Sequence, residues 1–529
     1  MPDQREFEIS RRDLLAAAAI GLGGLTVAGC GGSNKTSSGT TGGGGVPKRG
    51  GTFRFGTIDG STADSLDPLQ GDNTYTNIAI CAALFDTLTR YNDKTGDEML
   101  WLAESLEPAP DVSYWTVRLR PAEFHNGKPV TADDVIYSLR RTLAPKSGAF
   151  AATILASVDP QRLQKLDSRT VRVNLHYPDV GLPYGLRNAG FSIVPVGFDA
   201  KHPIGSGPFK FGSISPGQQS TYVRNENYWR SGQPYLDELQ IVDFADPGTT
   251  RVNALTTGQI DGANQLPLSF APEVQRASNL KVIVSESASS VTWEMKMDAP
   301  PFDDVRVRQA MRLIANRPQI VEQAYNGPRF ARIANDWGAI DDPLYDHSIP
   351  QRTQDIAQAK SLLKQAGREG MTVELVVSNV TSGVVETAQV LAQQAAAAGI
   401  TIKINNVSDS ATYFSKYQAQ APFKFNYNST LSTWEYLGFD LLPGAPSGVS
   451  YWHDPQWLKL VTQARGTLDF AKRKQLMSEA QRIFWDRGTQ GIFAFFNTLD
   501  AYSSKFTRFH PSASGRGLNG VHFEDVSEA

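Results

Sequence analysis

Cysteine is nearly absent from this chain: among 529 residues only Cys30 and Cys81 carry a thiol. Histidine is scarce too, seven scattered residues, and none pairs with another at metal-ligand spacing. No Gly-x-Ser-x-Gly elbow, His-Glu-x-x-His pair, Cys-x-x-Cys pair or Walker loop occurs, so no hydrolase, metalloprotease or nucleotidase announces itself. Gly515-Arg516-Gly517-Leu518-Asn519-Gly520 matches a dinucleotide pattern, but too little chain follows it to build the strand-helix unit the pattern needs. Neither sign of charge prevails: 51 Lys and Arg stand against 54 Asp and Glu, a formal net charge of −3. That balance argues against a nucleic-acid binder, which concentrates basic residues. Beyond the N-terminal leader there is no second long apolar run, and 40% hydrophobic residues is ordinary for a globular body.

What is present begins at the N-terminus. Arg11 and Arg12 precede an apolar run over residues 14–28, and Val27-Ala28-Gly29 leads into Cys30. The run is short for a bilayer span, and small residues before a cleavage point mark a removable signal. The pattern resembles a bacterial lipoprotein signal, over residues 1–29. The resemblance implies a diacylglyceryl group on Cys30, and two acyl chains give stable membrane attachment. Ser10-Arg11-Arg12-Asp13-Leu14-Leu15 also resembles a twin-arginine signal. Because Asp3, Glu6, Glu8 and Asp13 outnumber Arg5, Arg11 and Arg12, the general secretory route stays open. Residues 30–50 form the lipidated Cys and a tether of Gly, Ser and Thr that cannot fold alone, with a reach of about 25 Å. Once Cys30 is lipidated, Cys81 has no partner for an intramolecular disulfide and reads as a small buried hydrophobe.

Residues 51–529 are enough for two or three compact units. Alternation predicts strands over 52–58, 114–119 and 170–175. Helices are expected over 77–88 and from the capping Thr131 to about Leu143. An amphipathic helix over 355–366, a strand over 372–377, a helix over 386–398 and a strand over 401–404 spell a right-handed β-α-β crossover with parallel strands. In such sheets ligands sit beyond the carboxyl ends of the strands. A long helix over 469–487 and a buried strand over 491–496 follow. The fold class is mixed α/β with more than one lobe.

Several segments, in fixed order, resemble one family. They are Gly50-Gly51-Thr52-Phe53-Arg54-Phe55, Ser65-Leu66-Asp67-Pro68, Phe124-His125-Asn126-Gly127-Lys128-Pro129 and Thr131-Ala132-Asp133-Asp134-Val135. Ile204-Gly205-Ser206-Gly207-Pro208-Phe209, Arg224-Asn225-Glu226-Asn227-Tyr228-Trp229 and Pro301-Phe302-Asp303-Asp304-Val305 continue the series. Together they resemble the solute-binding proteins of family 5, the peptide, dipeptide and nickel group serving ATP-driven importers. The resemblance implies a two-lobed periplasmic-binding-protein type 2-like fold with an additional subdomain in the first lobe. Lobe 1 is expected over 51–76, 191–291 and 491–529, the inserted subdomain over 77–190, and lobe 2 over 292–490. The chain would cross between lobes near Trp293-Glu294-Met295 and return near Phe493-Phe495.

In peptide binders of this group a Trp is followed three residues later by an Asp that pairs with the peptide's free amine. Here Trp434 is followed at that distance by Leu437, and an apolar side chain cannot hold an ammonium. Either Glu435 or Asp440 takes the role, or the ligand has no free amine there. Aromatic residues cluster nearby, and Trp434, Tyr436, Tyr451 and Trp452 are candidate pocket residues as well as candidate core. The resemblance also places Asn73, Thr74 and Tyr75 on the cleft, and Trp293, at the crossing, is a candidate ligand-binding residue. No catalytic residue, metal or cofactor is expected. The function the resemblance implies is an ABC-importer binding lipoprotein, monomeric, at the extracytoplasmic face of the cell membrane. It would take a small peptide or similar organic solute and meet a permease and ATPase. A solute sensor without transport and a secreted hydrolase are the rival classes.

Overall fold

The computed structural model describes residues 46–71, 74–92, 98–244, 248–379, 381–408, 412–428, 432–445 and 452–529, all within the unit Val46–Ala529. The leader and Cys30 lie outside the described residues, as do Asn73 and Tyr451. Two large sheets organise the body. The first runs Leu280–Ser285, Thr498–Ser503, Gly262–Ala263, Thr52–Ile58, Glu238–Phe244, Gln219–Arg224, Phe209–Ser215. Thr52–Ile58 pairs in parallel with Glu238–Phe244 along its whole length and with Gly262–Ala263 on its other edge. Its alternation buries Phe53 and Phe55 completely. Arg54, on the other face, forms an ion pair with Asp261 at 2.7 Å. The rings of Phe506, Phe509 and Phe523 close over Phe53 at 5.0, 5.5 and 5.2 Å, so the C-terminal segment seals this lobe. The 515–520 stretch belongs to that seal: Leu518 and Val521 are buried in the same core, and the dinucleotide resemblance is coincidence.

The second sheet runs Ala331–Ile333, Gln490–Phe496, Ser290–Met295, Phe423–Asn428, Thr372–Val377, Thr401–Asn406. Thr372–Val377 and Thr401–Asn406 are parallel and joined through the helix Val384–Ala396, which is the expected crossover. The helix starts two residues early because Gly383 takes a left-handed φ of 84°, where a Cβ would come within 2.2 Å of the Tyr325 ring. Only glycine fits there. A smaller antiparallel sheet, Ala103–Pro108, Tyr114–Leu119, Thr170–Asn174, Gln164–Lys165, carries the helix Ala132–Thr142, which Thr131 and Asp134 close with a capping box.

The helix expected over 77–88 is Tyr75–Leu84, buried with the first sheet in one core, so it packs with the first lobe. It stops at Leu84 because the Gly205–Gly207 turn seats on that helix end. Gly207 donates to the Leu84 carbonyl at 2.9 Å, and a Cβ on Gly205 would stand 1.9 Å from the same oxygen. The chain changes sheets between Ser285 and Ser290 and returns at Asn497, not at 293–295 and 493–495. Both Ser290–Met295 and Gln490–Phe496 are central strands of the second sheet. Sequence displayed two adjacent apolar strands around Asn497 without marking which sheet each joins. Among the described residues no helix is long and apolar enough to cross a membrane.

Candidate ligand-binding cleft

The carboxyl ends of the parallel strands in the two sheets face one another. In the first lobe the ends of Thr52–Ile58 and Gly262–Ala263 bring Asp59 and Gln265 forward beside the start of the helix Tyr75–Leu84. In the second lobe Phe423–Asn428, parallel to Thr372–Val377, ends beside Tyr427 and Asn428. The Tyr75 and Tyr427 hydroxyls share a hydrogen bond, and Gln265 bonds Tyr75 as well. This is the place open α/β sheets reserve for ligands. Asp59 is solvent-exposed with a left-handed φ of 69°. Crowding by the surrounding protein pushes its carboxyl up to about 6, against the pull of Arg251.

A second contact forms where the inserted subdomain meets the Thr433–Tyr436 turn and the segment Leu437–Leu441. Phe150 stacks on Phe439 at 4.6 Å, and Val180 donates to the Arg465 carbonyl at 2.9 Å. Arg187 reaches across with its guanidinium fork. Nε lies 3.0 Å from Glu435 Oε1, Nη2 bonds Glu435 Oε2, and Nη1 lies 2.8 Å from Glu98 Oε2. Burial pushes the Glu98 carboxyl up to about 7 despite Arg187.

The expected site residues separate into groups. Thr74 caps its helix by accepting from Asn77 N, and Tyr75 lies at the contact between lobes. Trp434 is 3% exposed and sits against Gly181 of the insertion. Tyr436 is fully buried, its ring 5.1 Å from Trp337 and its hydroxyl donating to Gln490 Oε1. Glu435 is committed to Arg187 and is not free to meet a ligand amine. Trp293 is a correction: it packs on Phe423 at 6.4 Å inside the core, because strand alternation turns Thr292 and Glu294, not Trp293, to the other face. Trp452 is core as well, with Trp457 at 5.9 Å and Phe484 at 5.2 Å.

Asp440 stands in a buried polar cluster that sequence reasoning missed. Asn426 Nδ2 lies 3.4 Å from Glu294 Oε1 and 3.3 Å from Asp440 Oδ1, and Gln490 Nε2 lies 3.1 Å from Glu294 Oε1. Burial, then Glu294, raises the Asp440 carboxyl well above its ordinary range. Burial raises Glu294 too, and Lys424 partly offsets it. The polar residues at alternate positions of Ser290–Met295 and Phe423–Asn428 were the available signal.

A model of the bacterial extracellular solute-binding proteins, family 5 Middle, matches residues 99–440, well over half of the chain. The glutathione-binding protein GsiB of Pectobacterium atrosepticum is 25% identical over 488 residues, covering 85% of this chain and 90% of that protein. Di/tripeptide-binding protein 2 of Pseudomonas aeruginosa is 26% identical over 475 residues, covering 80% and 86%. Among solved structures, AgaA of A. tumefaciens R10 in complex with agropinic acid superposes with a TM-score of 0.79 at 26% identity, covering 90% of this chain and 99% of that one. DppA of Helicobacter pylori with the peptide STSA shares the fold, with a TM-score of 0.79 at 21% identity over 91% and 98%. The two-lobed α/β architecture is thus that of periplasmic binding proteins. The chain belongs to the bacterial extracellular solute-binding proteins of family 5.

Proposed function

We propose that this chain is the substrate-binding lipoprotein of an ABC importer. It captures a peptide or similarly sized organic solute between its lobes and delivers it to a permease driven by an ATPase. The observation that carries the reading is the meeting of strand ends from both sheets at Tyr75 and Tyr427. A solute held there touches both lobes and favours the closed arrangement through contacts the open one lacks. The names of the relatives, binders of glutathione and of di- and tripeptides, support a ligand of that size. The leader ending at Cys30 and the tether behind it support membrane anchoring; the proposed protein acts as a monomer and performs no chemistry on its cargo.

Native mass spectrometry of protein purified without denaturation tests the capture step: a small solute should accompany the chain at one per molecule and leave on unfolding. Deleting the gene should abolish uptake of that solute. Trp434→Ala should weaken its binding, because the cleft wall loses its largest side chain. Unchanged uptake contradicts the importer reading.

A further inference from the structure

Ten large apolar side chains are well exposed among the described residues, and four of them, Tyr177, Leu458, Leu468 and Phe470, belong to one helical hairpin and its neighbour. Scattered singly such residues mean nothing; gathered, they mark a contact surface. The hairpin is Pro455–Arg465 and Phe470–Arg487, joined by the turn 466–469. Arg473 fixes that turn from within, donating to the Thr467 and Leu468 carbonyls at 2.7 and 3.0 Å with its guanidinium 5.3 Å over the Phe470 ring. Leu468 and Phe470 nevertheless stay 40% and 38% exposed. Tyr177 joins them from the inserted subdomain: it bonds Arg465, and a Cβ on Gly466 would touch Pro178 at 3.4 Å. Leu458 lies about two turns back along Pro455–Arg465.

The charge around this patch is of one sign. From Leu458 to Lys474 five Lys and Arg stand against a single acid, Asp469, in a chain whose net charge is −3. Arg465 and Arg473 are buried, and Asp469 is engaged as the helix cap. Lys459, Lys472 and Lys474 remain, all exposed and without an ion pair among the described residues. That the free cations are all lysines decides between partners. Protein interfaces are depleted of lysine and enriched in arginine, whereas lipid headgroups ask only for point charges on long stems beside apolar tips. We infer that this hairpin, with Tyr177, is a docking surface for an anionic lipid bilayer, Leu468 and Phe470 entering the headgroup layer and the three lysines meeting lipid phosphates. The inference rests on the proposed membrane anchoring at Cys30 and is independent of which solute is captured. An acylated tether fixes distance from the membrane but not attitude. A second contact on the second lobe and the inserted subdomain would hold the body in one attitude at the surface.

The test places the acylated full chain on vesicles of phosphatidylcholine, alone or with about a third phosphatidylglycerol, each carrying a nitroxide-labelled lipid as quencher. A fluorophore is attached through Ala471→Cys beside the patch or, as control, through Glu369→Cys on an exposed turn outside it; Cys81 is buried and does not compete. The fluorophore at 471 should be quenched on the anionic vesicles and not on phosphatidylcholine, and high salt should reverse the quenching. The control should stay bright throughout. Lys472→Gln with Lys474→Gln should cut the quenching by about threefold or more, and Leu468→Ser with Phe470→Ser should abolish it; all four positions are exposed, so melts should be unchanged. Equal quenching at both sites, quenching without anionic lipid, or variants that keep it overturn the inference. Quenching that appears only when a permease is reconstituted overturns it in favour of a protein partner. Vesicle flotation separates the two readings: a chain that floats unquenched sinks the docking surface alone, and a chain that does not float sinks the anchoring as well.

Discussion

Arg187 and Glu435 join the inserted subdomain to the second lobe through a two-pronged ion pair in which both side chains are less than a tenth exposed. Arg187 also holds Glu98 at 2.8 Å and lies 5.3 Å over the Tyr184 ring. Removing one partner of a buried pair strands the other, at a cost of about 3–5 kcal/mol. Arg187→Met should therefore lower stability by that order in denaturant melts and enlarge the radius of gyration, as the subdomain lets go of the second lobe. Adding Glu435→Gln to the same variant should restore part of the loss, because the stranded charge is gone.

Gly181 offers a way to disturb this contact without altering any charge. A Cβ there would meet Asp179 Oδ1 at 2.9 Å and Trp434 Cγ at 3.0 Å. Its φ of −81° is ordinary, so the obstacle is space, not backbone strain. Gly181→Val should hold the lobes apart and weaken solute binding by about tenfold or more, while Gly197→Ala, an open position by packing although strained in φ, should leave binding unchanged. Titration calorimetry with the natural solute reads the difference.

The second lobe has its own buried ionic anchor. Asp336 is fully buried, with Arg317 at 2.8 Å and Arg352 at 2.8 Å. Burial alone would raise its carboxyl, but the two guanidiniums outweigh it and hold it below the usual range. A depressed acid contributes stability above the ordinary carboxylate range and loses it as pH falls. Asp336→Ala should cost about 3–5 kcal/mol at neutral pH and flatten the acid side of the stability profile. Chemical denaturation across acidic pH measures it.

Asp500 predicts the opposite slope. It is fully buried, accepts from Gln265 N at 2.8 Å and Thr498 Oγ1 at 3.2 Å, and burial pushes its carboxyl up to about 7. The folded chain therefore holds this proton more tightly than the unfolded chain, whose carboxyl titrates near 3.8. Its contribution falls as pH rises from about 4 to about 7, by at most about 1.4 kcal/mol per pH unit. Asp500→Asn should remove that slope in denaturant melts between those limits.

Much of the architecture was legible because its signals are local. Asp469 caps the helix Phe470–Arg487 by accepting from Lys472 N, and Met477, Ala480 and Phe484 form its buried stripe, as the spacing indicated. The crossover through Val384–Ala396 was read from period and glycine stops. The cleft was harder, because its residues meet only through tertiary packing. Alternation along Ser290–Met295 says that Trp293 and Glu294 face opposite ways, but not which face packs into the apolar core and which into the polar cluster around Asn426. Glu435 reads as a ligand residue in the sequence, and Arg187, remote in sequence, holds it in the fold. Tyr451 and Asn73 remain expectations outside the described residues.

The central claim is that two lobes close on a solute between Tyr75 and Trp434. Small-angle X-ray scattering of the purified chain, before and after addition of a short-peptide pool, tests it most directly. The account predicts a smaller radius of gyration and a shortened maximum dimension with the pool, and no such change for Gly181→Val. Superimposable curves for the unaltered chain with every peptide and with the natural solute would contradict it.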